Sequence, residues 1–366
     1  MTPWSVVDEQ RTKKRRVPAW GRLVLISVVA LLVVGTGMVL IPRDSGTPPP
    51  RSFSENARLA ALEDTLLLRD SAVALADAPG PDAGKPGADD AVTLLTTHAR
   101  ALLDPDGQLP TSPAAASPTA TASSPKATPS AFVTELSRSG QQRLTDAHES
   151  DGGMARLLAA VGSAQLLSAE KLAAAWKLPA PTLPTTSRVP ATAPAAGSCP
   201  SASPSPDADA ATTDTALASL VRAQHEAVYV YQVAVKKLGA SSVPAAARDL
   251  EVHEVLLRQA EDLTGVNCGD VPTGEAGYRL PAKFAKDPAA ALADLEASSL
   301  PRFGDLVALS TGGTRDWAID GLLAAGRRSS AWGAALPALP GLALDAGDLP
   351  ALPTPGDTAS PTASIR

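Results

Sequence analysis

Residues 217–238 read LASLVRAQHEAVYVYQVAVKKL. At about 100° per residue, Leu217, Val221, Val228, Tyr231 and Val235 fall on one stripe, with no glycine or proline between them. The segment reads as an amphipathic helix over 214–238 whose stripe needs partners. Pro244 opens a second helix in its first turn, where proline is tolerated, and the pattern runs to Leu263 before Gly265. Asp287-Pro288 opens a third, through Leu292, Leu295, Phe303 and Leu306 to Gly312. Thr314 caps a fourth, through Ala318, Leu322, Ala325 and Trp332 to about Leu336. Four helices with short connections predict an antiparallel bundle over 214–342.

Upstream, residues 179–213 form a Pro/Ser/Thr/Ala linker of the kind that stays disordered. Before it lies a helical region over 53–178. Ser54 reads as its first N-cap, with Leu59, Leu62, Leu66 and Val73 at helical spacing. Further helices are predicted over 89–103, 132–144 and 154–178, the last two split at Asp151-Gly-Gly. A low-complexity stretch, 108–130, interrupts the region. The sequence leaves open whether this region packs on the bundle. The Pro-rich chain from 337 reads as loose, with 343–366 a disordered tail.

Furthest upstream, residues 21–41 read GRLVLISVVALLVVGTGMVLI. About twenty apolar residues suffice to cross a bilayer as a helix. The basic residues Arg11, Lys13, Lys14, Arg15 and Arg16 precede the run, and few follow it. The positive-inside rule makes residues 1–20 a cytoplasmic tail and puts everything after Ile41 outside. The run is long for a signal peptide and lacks a small-residue cleavage site, so an uncleaved anchor is expected. The expected fold class is all-α: one transmembrane helix, a helical region, and a four-helix bundle at the cell envelope.

Composition supports helices over sheets. Aromatic residues make up only 3% of the chain and there are 34 prolines, whereas sheets favour β-branched and aromatic side chains. Net charge is −6 despite the basic N-terminus, which argues against a nucleic-acid partner. The expected partners are the membrane, through 21–41, and an envelope protein or small ligand. The only two cysteines are Cys199 and Cys268. Outside the membrane they can form a disulfide, closing a loop of about 70 residues worth about 4 kcal/mol in the chain-entropy model. In an up-down pair of helices, the approach to the first and the exit of the second lie at one end, so the two can meet.

Polar residues inside the apolar stripes are the candidate site. Gln224 falls in the middle of the first stripe, with His225 at its edge. His253 sits on a broad apolar face with Leu250, Leu256, Leu257 and Ala260, and Glu296 lies between Leu292 and Phe303. No glycine-rich phosphate loop or nucleophile elbow is present. His98 and His148 read as surface residues, and Arg327 and Arg328 as a solvated face with acidic partners.

These segments carry a resemblance. Residues 217–238, the helix around His253, YRLPAKFAKDPAAALADLEASSLPRF (278–303) and the Trp317-to-Trp332 helix look like the actinobacterial DUF4439 family, which is placed with the ferritin-like four-helix domains. The similarity covers about residues 213–342 and rests on pattern, not on one sharp motif. It implies a glutamate where Gln224 stands, beside a histidine matching His225, and polar positions matching His253 and Glu296. Ferritin-like metal sites take a Glu from each of two helices and Glu-x-x-His from the other two. These helices hold no Glu-x-x-His: Glu251 and His253 are wrongly spaced, and Glu254 has no histidine three residues on. A glutamine at 224 leaves iron or manganese under-ligated. The expectation is a buried hydrogen-bond cluster without cofactor in a non-catalytic binding or scaffolding domain. The alternative is a divergent iron or manganese site.

Overall fold

The helix starts follow local chemistry. The computed structural model describes residues 50–79, 85–104, 128–182 and 210–353. Ser52 caps α1 (Phe53–Ala76), its Oγ accepting from Glu55 N at 3.2 Å. Ser54, the expected cap, is buried instead, and its Oγ accepts from Asp151 N at 2.8 Å. α2 is Ala88–Leu102. Thr128 caps α3 (Pro129–Glu149), and Asp151 caps α4 (Gly152–Ala175). A Thr212–Thr215 capping box opens α5 (Thr213–Lys237). Proline stands in the first turn of α6 (Val243–Val266) and of α7 (Pro288–Leu309), the latter capped by Asp287. α8 (Gly312–Ala331) starts two residues before the expected Thr314.

These eight α-helices, with two short 3-10 turns, are the regular structure of the described residues. None is long and apolar enough to cross a membrane. Even the Ala/Leu-rich α4 carries Arg156, Glu170 and Lys171, and it buries its apolar face against other helices. The expected single-pass architecture, and the envelope location that depended on it, are corrected accordingly: the fold described is all-helical with no membrane-crossing helix. The expected span, 21–41, lies outside the described residues, as do most of the predicted linkers 108–130 and 179–213. No disulfide between two described residues is present. Cys268 is disulfide-bonded, but Cys199 lies outside the described residues, so the expected pair is not part of the described fold.

Residues 1–51 form a separate unit, of which only 50 and 51 are described. The described residues from 52 onward form one compact unit of two bundles, α1–α4 and α5–α8. α4 packs on α7 and α8, and α3 touches α8. One buried apolar cluster runs from Leu62 and Leu102 through Leu158 and Leu166 to Leu220, Phe303, Trp317 and Leu322. Gly326 permits the close approach: a Cβ there would sit 2.8 Å from the Leu167 side chain. The segment after α8 is not loose. Leu339 is buried, Arg156 Nε donates to Gly341 O at 2.7 Å, and Arg100 Nε donates to Pro350 O at 2.8 Å.

Candidate functional site

In the second bundle, α5 packs along α6 and α7, and α7 along α8. Each of the four helices sends polar side chains to one central point. α5 supplies Gln224 and Tyr231, α6 His253, α7 Glu296 and α8 Arg328. His253 is the hub. Its Nδ1 lies 2.8 Å from Gln224 Oε1, and its Nε2 lies 2.7 Å from Glu296 Oε1. The Tyr231 hydroxyl donates to the same Glu296 oxygen at 2.7 Å, and Arg328 Nε donates to Oε2 at 3.0 Å. The Tyr231 and His253 rings lean together, with centroids 4.9 Å apart.

The cluster is dry. Gln224, His253 and Glu296 are 1–2% exposed and Tyr231 fully buried. The space beside it, between Gln224, His253 and Glu296, is a cavity of about 10 Å³, the size of a single water at most. Burial pushes the Glu296 carboxyl up, but the His253 hydrogen bond and the Arg328 guanidinium outweigh it and hold the group below its ordinary range. The Tyr231 hydroxyl moves the other way, through burial and then the Glu296 charge beside it. Glu296 is thus an anion with both oxygens engaged. Gln224 fits a histidine in either state, because its amide offers an oxygen to N–H or, turned over, an NH₂ to a bare nitrogen.

Three of the four expected residues, Gln224, His253 and Glu296, come together. His225 does not join them. Its Nε2 is 3.6 Å from Glu261 Oε1, and the chain at Gly274 passes over its ring. Arg328, expected on a solvated face, is instead the fifth member, with a side chain only 12% exposed. The signal was present, since 328 stands three residues after Ala325 and four before Trp332 on the α8 stripe. Arg327 does pair outward, with Glu170 at 2.9 Å. His148, partly exposed, pairs with Asp316, whereas His98 is fully buried, contrary to expectation.

Around this centre, Trp332 Nε1 donates to Asp249 at 2.8 Å and Trp317 Nε1 to Gln259 at 2.9 Å. Both bonds tie α8 to α6. Among the described residues, no group of three or more His, Cys, Asp or Glu side chains is placed to hold a metal ion.

No curated protein and no solved structure matches the chain. A family model does: residues 216–344, spanning nearly all of α5 to α8 with the whole polar cluster, match "Domain of unknown function (DUF4439)", so the second bundle is similar to that domain family.

Proposed function

We propose that this chain is a non-catalytic helical binding protein whose second bundle keeps a ferritin-like arrangement with its centre converted from chemistry to structure. One observation carries the reading. Both oxygens of the one carboxylate at the centre are engaged by the protein's own donors, and the neighbouring cavity of about 10 Å³ admits no substrate. The donor set does not fit a ferritin-like metal pair, which takes carboxylates from all four helices. Here Gln224 is neutral, His253 already bonds Glu296, and Arg328 brings a fixed positive charge to the oxygen a metal would need.

Metal analysis of the purified full chain, with denaturation of Glu296→Gln, tests this. Iron and manganese are expected well below one equivalent. The variant is expected to lose about 3–5 kcal/mol, since it leaves a buried guanidinium without its counter-charge. One equivalent of either metal, lost in Glu296→Gln, would overturn the proposal and restore the divergent metal site.

A further inference from the structure

The sequence Leu-Pro-Ala-Leu-Pro occurs twice after α8, at 336–340 and at 349–353. Proline has no N–H and a fixed φ, so such a stretch favours the extended polyproline II form, whose carbonyls have no internal partner. Leu349, with φ −70° and ψ 142°, has that form. Carbonyls of such a segment, once laid against the protein, need donors from elsewhere.

The last turns of α2 supply donors to both copies. In the first copy, Ala338 O accepts from His98 Nε2 at 2.7 Å. In the second, Pro350 O accepts from Arg100 Nε at 2.8 Å, and Leu349 O accepts from Arg100 Nη2. One guanidinium thus forks across two successive carbonyls. The leucines are used alike. Leu336 and Leu339 of the first copy, and Leu349 and Leu352 of the second, all belong to or pack on the apolar cluster that contains Ala99 and Leu102 of α2. Each of these hydrogen bonds runs to a main-chain oxygen, and the motif carries no charge. α2 therefore reads the path of a proline-punctuated chain and the spacing of its leucines, as grooves that hold proline-rich ligands do.

The two copies are not held equally. The first is locked in place. Leu339, Pro340 and Gly341 are buried, and Gly341 crosses α7 so closely that a Cβ on Gly304 would sit 2.2 Å from its carbonyl oxygen. The second copy hangs at the end of an arch, 343–348, in which every residue is exposed, and none of its own residues is fully buried. It is a ligand on a short tether, held by high effective concentration and few contacts.

We propose that the end of α2 is a docking site for extended Leu-Pro-Ala-Leu-Pro peptides, with the copy at 349–353 as resident ligand, displaceable by a partner protein's segment of the same pattern. This gives the binding reading above a site and a ligand class, and rests on it. The test uses the full chain carrying Leu349→Asp and Leu352→Asp, which lifts the resident copy, with Leu352→Asp alone as a milder second variant. Each is titrated with a fluorescein-labelled peptide of residues 345–353, followed by anisotropy. Saturable binding at one equivalent is expected, at least tenfold tighter than to the parent, whose own copy competes. Adding Arg100→Ala should weaken it at least tenfold, since hydrogen bonds from a charged donor are lost. A peptide with both leucines changed to aspartate should not bind. In the parent chain, Arg100→Ala alone should speed hydrogen exchange of 343–352 and leave 338–342 protected. No saturable binding to a variant that keeps the parental circular dichroism, equal binding to parent and variant, or exchange unmoved by Arg100→Ala would each overturn the proposal. A parent dimer that Arg100→Ala separates would assign the site to exchange between copies of this chain and overturn the partner reading. These failures leave the polar centre untouched, whereas stoichiometric metal would sink the structural reading of the centre without moving peptide binding.

Discussion

His98 shows what one residue can hide. It stands on α2 between Leu95 and Leu102, fully buried, and its Nε2 lies 2.7 Å from Ala338 O. Its Nδ1 is buried with no hydrogen-bond partner among the described residues. Burial holds the imidazole down to about 4, with the Ala338 carbonyl opposing it only in part. The sign follows from linkage. Above pH 6.5 the ring is neutral in both folded and unfolded chains, and its contribution to stability is full. As pH falls from 6.5 toward 4 the unfolded chain takes up a proton that the folded one refuses, so stability is lost. That gap corresponds to about 3 kcal/mol. Urea unfolding at steps between pH 7.5 and 4 should show the decline, and His98→Gln should flatten it while lowering stability at pH 7.5. An unchanged slope in the variant would show that other groups carry the acid sensitivity. The residue was misplaced from sequence because a histidine on a mixed helix face is usually solvated. What buries it is the chain 240 residues away, which leaves no periodic mark near α2.

At the scale of elements, the starts and stops were the legible part. Asp151, Asp287 and the prolines at 244 and 288 stand where short-range chemistry puts them, and the observed helices follow. Ser52 and Ser54 compete for one cap, and only burial of Ser54 against the α3–α4 turn decides between them. Arg315 had no local signature. It sits in the first turn of α8, is 5% exposed, and donates through Nε to Ser310 O at 2.7 Å. Its Nη1 reaches Ser150 O at 2.6 Å and His148 O at 3.2 Å. Those carbonyls lie at the ends of α7 and α3, where helix oxygens lack intrahelical partners and a cation is favoured. One guanidinium therefore caps two helices from different bundles. Arg315→Met should cost about 3 kcal/mol or more by leaving buried carbonyls without donors. Arg315→Lys should recover only part, because an ammonium cannot fork between them. Chemical denaturation of both variants checks this, and a cost below about 1 kcal/mol for Arg315→Met would remove its role as a latch.

The two bundles share a core, and that is what the stripes in the sequence could not say. Periodicity shows that a helix buries a face. It does not say against what, and α4 reads equally well as a member of an isolated bundle. In the structure its residues Leu158, Leu166 and Leu167 join Leu300, Phe303, Val307 and Leu322 in one apolar cluster. Each buried side chain of this kind contributes about 1.5–3 kcal/mol on leaving water, so exposing several of them would remove a large part of the roughly 5–15 kcal/mol by which a domain is stable. Arg315, Arg327 and His148 add polar ties across the same boundary. The family match covers only the second bundle, whereas the apolar core runs through both. A fragment of residues 210–353 should be helical but loosely packed. It should bind a hydrophobic dye and melt broadly, whereas residues 50–353 should melt cooperatively. Mixing it with a fragment of residues 50–182 should restore sharp melting and displace the dye, because the missing half of the core is supplied in trans. Sharp melting of the 210–353 fragment alone, at the temperature of the longer chain, would show that α4 adds contact without stability and that the second bundle folds on its own.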